Sequence, residues 1–177
     1  DEIELSKSGA DINIDAGGLD LAGSNFFSVH PEQDSLNFRA PKARFILKEN
    51  VIYCEKVEYI DVADARIFPP EQKVTIRKKA RMDEFEGAEI VANSITKYHK
   101  ITEAHVRIDA AKKYQASGKY PYIDSKGAEQ IIFFADIQPD TIFQTRATGQ
   151  IGEDKGFHLS DKFDFYGTVE LAASDQF

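Results

Sequence analysis

Residues 63–109 read ADARIFPPEQKVTIRKKARMDEFEGAEIVANSITKYHKITEAHVRID, and this stretch decides the fold. A motif of a small, a basic and an apolar residue recurs within it and occurs once upstream. Its four copies are Ala43-Arg44-Phe45, Ala65-Arg66-Ile67, Ala80-Arg81-Met82 and, with histidine in the middle, Ala104-His105-Val106. Alternate copies lie 37 and 39 residues apart, a period typical of repeat proteins. The turn Pro31-Glu32-Gln33 also returns as Pro70-Glu71-Gln72, so residues 28–109 are predicted to use one unit of a few strands twice, imperfectly.

The middle of this stretch, from Lys73 to Met82, alternates between polar and apolar or small side chains, which is the period of a half-buried strand. Four basic side chains then form a row on the outer face of that strand: Lys73, Arg77, Lys79 and Arg81. Such a row is a candidate site for phosphate or another anion. The alternative is that the acidic residues directly after Met82 pair with the row across strands, as is ordinary on an exposed sheet face.

The segment from Thr102 to Ala110 repeats the alternation, with Ala104, Val106 and Ile108 facing inward and the charged residues between them facing outward. We expect one core to contain Val74, Ile76, Val106 and Ile108, and Lys73, Arg77 and Arg107 to lie outside it. His99 and His105 are six residues apart, which is not a helical metal-binding pair, and both are predicted at the surface. No metal site is predicted.

Upstream of this stretch, residues 1–25 are acidic and interrupted by glycine, and we predict an irregular N-terminal segment. Leu36 to Leu47 alternates on both sides of Pro41, which predicts two half-buried strands joined by a bend. Val51 to Phe68 is apolar on both faces and predicts a strand covered on two sides. Cys54 has the parity of Ile52 and is predicted to be a small core residue.

Downstream, residues 114–177 are punctuated by turn residues and predict a meander of strands. Its last strand-like run, from Phe163 to Leu171, alternates between apolar and polar residues. Tyr114, Tyr120 and Tyr122 share a parity, so their rings lie on one face. They are candidates for an aromatic platform that binds a sugar ring; the alternative is a cross-strand ladder that buries its rings and exposes its hydroxyls.

Composition narrows the class of protein. A chain of 177 residues can form one domain with a substantial core, and a net charge of −8 argues against nucleic acid as a partner. One cysteine excludes an internal disulfide, and no apolar run is long enough to span a membrane. No helical periodicity persists beyond about ten residues, so the chain is predicted to be all-β. The strand-like run near Phe177 leads us to expect one module of a longer protein.

Catalytic signatures are missing from the sequence. The carboxylate pairs nearest in sequence are Asp61 with Asp64 and Asp136 with Asp140, and acidic residues are too common in this chain for that proximity to indicate glycoside cleavage. Cys54 has no local partner that could act as its base. We therefore predict no enzymatic activity and no cofactor.

The repeated strands carry a resemblance to a known family. The turn Pro70-Glu71-Gln72 leading into Lys73–Ile76, and Ala88–Asn93 followed by Tyr98, resemble the strand repeats of the OstA/LptA-type lipopolysaccharide-transport family and segments of large uncharacterised secreted proteins of the Bacteroidetes. The resemblance covers roughly residues 28–108. It implies a β-jelly-roll or β-solenoid-like stack of mostly antiparallel strands, whose interior carries acyl chains in that family. The meander after Tyr114 departs from the pattern.

These observations favour a non-catalytic structural or binding β-module of a periplasmic, cell-envelope or secreted protein. Its expected partners are other envelope proteins or other domains of the same chain. The alternatives are a lipid- or lipopolysaccharide-carrying module and a carbohydrate-binding β-sandwich. A carrier would need Phe38, Phe45, Ile76 and Val106 to border an open cavity. The 13 phenylalanines and the recurring alanines instead favour a filled core with no lipid binding.

Overall fold

The computed structural model describes residues 2–5, 24–93, 95–96 and 98–174, and within them the chain is all-β, as predicted. Strands hold 61% of the described residues, and the helical segments among them are single 3-10 turns. The strands are β1 (Glu2–Leu5), β2 (Ser24–Phe27), β3 (Asn37–Ala40), β4 (Lys42–Ile46), β5 (Val51–Glu55), β6 (Ile60–Val62), β7 (Ala65–Phe68), β8 (Lys73–Ile76), β9 (Phe85–Ala92), β10 (His99–Ala110), β11 (Lys113–Ile123), β12 (Glu129–Pro139), β13 (Thr145–Ile151), β14 (His158–Ser160), β15 (Phe163–Asp164) and β16 (Gly167–Ala172). None of the helical segments in the described residues could cross a membrane.

An eight-stranded sheet forms most of the molecule and curls into a half-barrel. Its strand order is β16-β13-β12-β11-β10-β9-β7-β6, and all neighbours are antiparallel. Strands β9 to β13 follow one another as a meander, which therefore begins at Phe85 and not at Tyr114 as the sequence predicted. A second sheet has the order β1-β4-β5-β8, β2 pairs with β3, and β14 pairs with β15.

β-bulges interrupt the large sheet. Three of them place two successive residues between buried neighbours, and these pairs are Glu86-Gly87 in β9, Thr102-Glu103 in β10 and Ala135-Asp136 in β12. A further register shift lies between Ile108 and Ala110, at the end of β10. Glu103 has φ 48° and Gly87 has φ 84°. A bulge bends its strand and increases the local twist. The bulges therefore supply part of the curl that turns a flat meander into a half-barrel.

Glycines face these bulges where neighbouring backbones come close. A Cβ added to Gly118 of β11 would lie 2.7 Å from Ile101 Cγ2, beside the bulge of β10. A Cβ added to Gly149 of β13 would lie 2.5 Å from the carbonyl oxygen of Phe133, beside the bulge of β12. Neither glycine has a positive φ, so the requirement for glycine comes from space. At Gly118 the space is taken by the side chains of Ile101 and Ala104, and at Gly149 by the backbone of Phe133.

One continuous apolar core joins the two larger sheets. Val74, Val106 and Ile108 are buried in it and Ile76 packs against it, as predicted. Lys73, Arg77 and Arg107 are exposed, also as predicted. The bend at Pro41 between β3 and β4 is confirmed.

The structure corrects three predicted strands. The segment from Val51 to Phe68 is not one strand but three, because the chain turns after Glu55 and again between β6 and β7. The run from Phe163 to Leu171 is broken before Gly167, which has φ 141°. The strand predicted for Lys73 to Met82 ends at Ile76, and Met82 returns to form a bridge with Ile76.

The predicted repeat holds for some of its parts. Pro31–Gln33 and Pro70–Gln72 both form 3-10 turns, and Ala43, Ala65 and Ala104 are all at most 1% exposed. Ala80 is the exception because it lies in a turn with φ 56°. Within the predicted N-terminal segment, Glu2–Leu5 pairs with β4, and residues 6–23 lie outside the described part of the chain.

Candidate functional site

An open cleft of about 730 Å³ lies against the large sheet, and we call it the aromatic cleft. Residues from β11, β12 and β16 and from the β14–β15 hairpin line it. The side chains used below are Tyr120, Tyr122, Phe134, Phe157, Phe165 and Val169. Sites for small molecules are typically concave, mostly apolar and about 300–1,000 Å³ in volume. The cleft has the size and lining of such a site.

The β14–β15 hairpin is tied over the sheet by polar contacts at the end of β11 and β12. Gln130 Nε2 donates to the carbonyl oxygen of His158 at 2.6 Å, and its Oε1 accepts from the backbone N–H of His158 at 2.8 Å. The hydroxyl of Tyr122 donates to the carbonyl oxygen of Leu159 at 3.2 Å. These bonds hold the hairpin as one wall of the aromatic cleft.

Ring contacts orient the aromatic walls. Tyr120 packs against Phe134 with ring centroids 5.8 Å apart, and Tyr122 packs against Phe157 at 5.2 Å. Partial burial raises the pKa of the Tyr120 hydroxyl, which therefore stays neutral at physiological pH. The cleft presents neutral rings with a few hydroxyl groups and, at Glu170, one carboxylate. Such a surface is suited to an apolar or amphipathic molecule.

His99 lies beside this cleft and is fully buried, so its predicted surface position is wrong. Its Nδ1 is 3.2 Å from the hydroxyl of Tyr120. The physical reason is the bulge at Thr102-Glu103, which shifts the alternation by one residue. His99 and Ile101 therefore face inward together with Ala104 and Val106. His105, on the other side of the bulge, is exposed beside Glu84 as predicted.

The three tyrosines proposed as a sugar platform are separated by their surroundings. Tyr120 and Tyr122 are half-buried in the aromatic cleft, whereas Tyr114 is fully buried and its hydroxyl contacts Thr145 Oγ1 at 2.6 Å. Burial raises the pKa of Tyr114. Tyr114 thus belongs to a structural cluster and has no exposed ring face for a sugar.

The four basic residues proposed as an anion site do not form a row, because the strand ends at Ile76. Lys73 pairs with Glu71 at 2.5 Å, and Arg77 donates to Asp83 through Nε at 2.5 Å and Nη2 at 2.7 Å. Lys79 lies in the turn that follows, and Arg81 leads back toward Met82. The predicted alternative, pairing with acidic residues, holds for Arg77.

That turn borders a second cleft of about 270 Å³, which we call the basic cleft. Its apolar lining includes Phe26, Phe38, Phe45, Ile52, Ile76 and Met82, and its basic lining is Arg77, Lys78 and Lys79. Val106 and Phe38 are buried, as expected of a filled core, and Ile76 packs against that core. Phe38, Phe45 and Ile76 also line the basic cleft, so the packing is not closed on this side. The cleft lies between the β2–β3 ribbon and the β1-β4-β5-β8 sheet.

The candidate acid pairs are engaged separately. Asp61 accepts from Arg66 Nε at 2.8 Å, and Asp64 accepts from Thr145. Asp140 accepts from backbone N–H groups of its own turn and from Arg146 at 3.0 Å; Asp136 contacts Gln138. The bond from Gln144, followed by the Arg146 contact, lowers the pKa of Asp140. Among the described residues, no three His, Cys, Asp or Glu side chains form a group that could hold a metal ion.

Cys54 is a core residue, as predicted, with 1% of its surface exposed. Burial raises the pKa of its thiol to about 12. A nucleophilic cysteine needs its thiolate near neutral pH, so this environment opposes such a role.

We expect Cys54 in the folded protein not to react with a thiol reagent such as dithionitrobenzoate at pH 8, and to react within seconds to minutes in denaturant. Because the folded pKa is raised, the unfolded state loses its thiol proton first, and stability should fall as pH rises above about 8.5. Thiol titration with and without urea measures the first effect. Fast modification of the folded protein would contradict the buried position, and Cys54→Ala serves as the blank.

Sequence reasoning did not predict the aromatic cleft, although part of its signal was present. The alternation in residues 163–171 placed Phe163, Phe165, Val169 and Leu171 on one face. Phe165, Val169 and Leu171 line the cleft, whereas Phe163 is exposed, and Thr168 and Glu170 of the other face border the cleft as well. Contacts such as Tyr122 to Leu159, 37 residues apart, depend on tertiary structure.

The fold and the cleft define an all-β protein with a curled antiparallel sheet and an aromatic site on one face of it. Comparison with protein-family models, with curated proteins and with solved structures finds no match to this chain.

Proposed function

We propose that this chain is a non-catalytic β-module that binds an apolar or amphipathic small molecule in the aromatic cleft. The observation that carries the proposal is the cleft of about 730 Å³ lined by rings from β11, from β12 and from the β14–β15 hairpin, with Val169 and Leu171 of β16 completing its apolar wall. Burial of apolar ligand surface against such rings is the dominant source of affinity in sites of this kind.

The chemistry of the titratable groups favours binding over catalysis. Cys54 is buried with a raised pKa, His99 is buried, and the carboxylates of Asp61 and Asp64 are each engaged by other groups. General acid–base or nucleophilic catalysis needs such groups to converge on one accessible point. We infer a module that holds its ligand unchanged.

An apolar ligand is favoured over a sugar. Stacking of a sugar needs a free aromatic face, and the rings of Tyr120 and Tyr122 already pack against Phe134 and Phe157. Of the two alternatives raised by the sequence, the lipid-carrying module is therefore closer to this proposal than the carbohydrate-binding sandwich. A periplasmic, envelope or secreted location, with other envelope proteins or domains as partners, is proposed from the sequence resemblance.

The test is a titration with N-phenyl-1-naphthylamine, an uncharged fluorophore that brightens in apolar sites. We expect saturable binding of one molecule per chain with a micromolar dissociation constant. Val169→Trp places a large ring in the cleft and should weaken binding by about tenfold or more, because cleft volume is lost. Thr148→Trp, on an exposed position of the neighbouring strand, is the matched control and should leave binding unchanged.

Two results would contradict the proposal. One is equal binding by wild type and Val169→Trp. The other is loss of binding on Ile52→Phe, which fills the basic cleft, with no effect of Val169→Trp. Circular dichroism of each variant checks that it retains the strand signal.

A further inference from the structure

The basic cleft combines apolar walls with a border of basic side chains. Its walls are apolar side chains from β2, β3, β4, β5 and β8, and three consecutive basic residues, Arg77, Lys78 and Lys79, border it. The chain as a whole has 22 basic and 30 acidic residues. Basic side chains at the edge of an apolar cavity, in a protein whose net charge is −8, indicate a binding preference for an anionic, partly apolar molecule.

Two of these three basic side chains are available to bind an anion. The guanidinium of Arg77 is occupied by Asp83, whereas Lys78 and Lys79 are exposed and have no ion-pair partner among the described residues. Lys79 has φ 60°, and Ala80 after it has φ 56°. With these left-handed backbone conformations the chain turns at the edge of the basic cleft, and Lys78 and Lys79 both line the cleft.

The turn is anchored from the opposite wall by Gln33. Gln33 is 6% exposed, and its Nε2 donates to the carbonyl oxygen of Ala80 at 2.8 Å. Its Oε1 is buried and has no hydrogen-bond partner in the described part of the chain. A buried acceptor without a hydrogen-bond partner costs stability, about 1–3 kcal/mol in typical proteins, and a turn held at this cost remains fixed at the edge of the cleft by the bond from Nε2.

The cleft volume limits the size of the occupant. A dry cavity of about 150 Å³ holds benzene, so the volume of about 270 Å³ corresponds to about ten carbon atoms at the same density. A single chain of this length fills the cleft, whereas the second chain of a two-chain lipid would lie outside it.

We propose that the basic cleft binds a free single-chain carboxylic acid of about ten carbons, with its chain among Phe38, Phe45 and Ile76 and its carboxylate beside Lys78 and Lys79. The aromatic cleft shares none of its lining residues with this site, so the two proposals stand independently.

Isothermal titration with decanoate tests this proposal. We expect one molecule to bind per chain at this site, with at least about tenfold higher affinity than decyltrimethylammonium, which has the same chain and the opposite charge. The double variant Lys78→Glu/Lys79→Glu should lose about tenfold or more in decanoate affinity. The control Lys113→Glu/Lys162→Glu makes the same change in net charge at exposed positions outside the cleft and should retain it.

Two further variants locate the chain of the ligand. Ile52→Phe should weaken decanoate binding because it fills the basic cleft, and Val169→Trp should leave it unchanged. The proposal is overturned if Val169→Trp removes decanoate binding, if the lysine double variant binds as wild type does, or if decyltrimethylammonium binds equally well. Sedimentation with phosphatidylglycerol vesicles but no binding of decanoate would overturn it as well, since the source would then be a membrane surface.

Discussion

Replacing Gly149 by alanine is expected to destabilise the protein by about 3 kcal/mol or more, at the upper end of what overpacking in a core costs. The added Cβ would lie 2.5 Å from the carbonyl oxygen of Phe133 and 3.1 Å from Phe134 Cδ1. The oxygen belongs to the neighbouring strand β12 and cannot move without breaking pairs in the centre of the sheet. For a chain of this length, the loss corresponds to a fall in Tm of about 6–12 °C, which thermal unfolding followed by circular dichroism would measure.

Gly152→Ala is the matched control for that substitution. Its Cβ would also meet an atom at 2.5 Å, but that atom is Asp154 Oδ1 at the end of an exposed side chain. The aspartate can rotate away, so we expect a change below about 0.5 kcal/mol. If Gly149→Ala unfolds at the temperature of Gly152→Ala, the backbones of β12 and β13 are not as close as described.

The second large effect is expected from Asp64→Ala, which should cost about 2–4 kcal/mol. Asp64 Oδ1 accepts from the backbone N–H of Thr145 at 3.0 Å and from Thr145 Oγ1 at 2.6 Å, and Tyr114 completes the cluster. Thr145 and Tyr114 are fully buried. Removing the carboxylate leaves a buried N–H without a partner, and hydrogen bonds to charged groups contribute about 1.5–3 kcal/mol each.

Urea unfolding with linear extrapolation measures this effect. Asp64→Asn keeps an acceptor oxygen and should lose less than Asp64→Ala, and Tyr114→Phe should cost about 1 kcal/mol. Asp61→Ala, three residues away, removes an exposed ion pair with Arg66 and should cost less than about 1 kcal/mol. Equal stability of Asp64→Ala and Asp61→Ala would contradict a structural role for the cluster.

The fold class followed from the sequence because alternation is a local property. Between Ala104 and Ala110 every predicted inward residue is buried, and the bend at Pro41 was marked by proline itself. These features depend only on the pleat of one strand and on the chemistry of one turn.

Bulges and unmarked turns were not predictable in this way. The position of a bulge depends on the register with neighbouring strands, so the residue types of Thr102 and Glu103 do not predict it. At the bulge of β9, Gly87 was a local indication, because glycine adopts positive φ readily. The turn at Lys78–Ala80 contains neither glycine, proline nor asparagine. Its two left-handed residues cost energy, and the contact from Gln33, 47 residues away, helps to hold it.

The candidate site was the least predictable part, because both clefts are gaps between elements distant in the sequence. The tyrosines at 120 and 122 were correctly placed on one face, but what faces them comes from the β14–β15 hairpin. A cleft forms where facing side chains do not pack against one another. A sequence pattern specifies which side chains face inward, but not whether they come into contact.

The bulges have one further consequence, which resembles that of an insertion in a reading frame. In β10, odd-numbered residues face inward before Glu103 and even-numbered residues face inward after it. Deleting Glu103 alone would therefore leave Thr102 as the single outward residue between Ile101 and Ala104, so that His99 and Ile101 keep the inner face and the bulge is removed. Deleting Lys100 instead would move His99 to the outer face. The bulged positions in β9, β10 and β12 should thus tolerate the loss of one residue where other strand positions do not, so related chains can differ in strand length while keeping the same inward side chains.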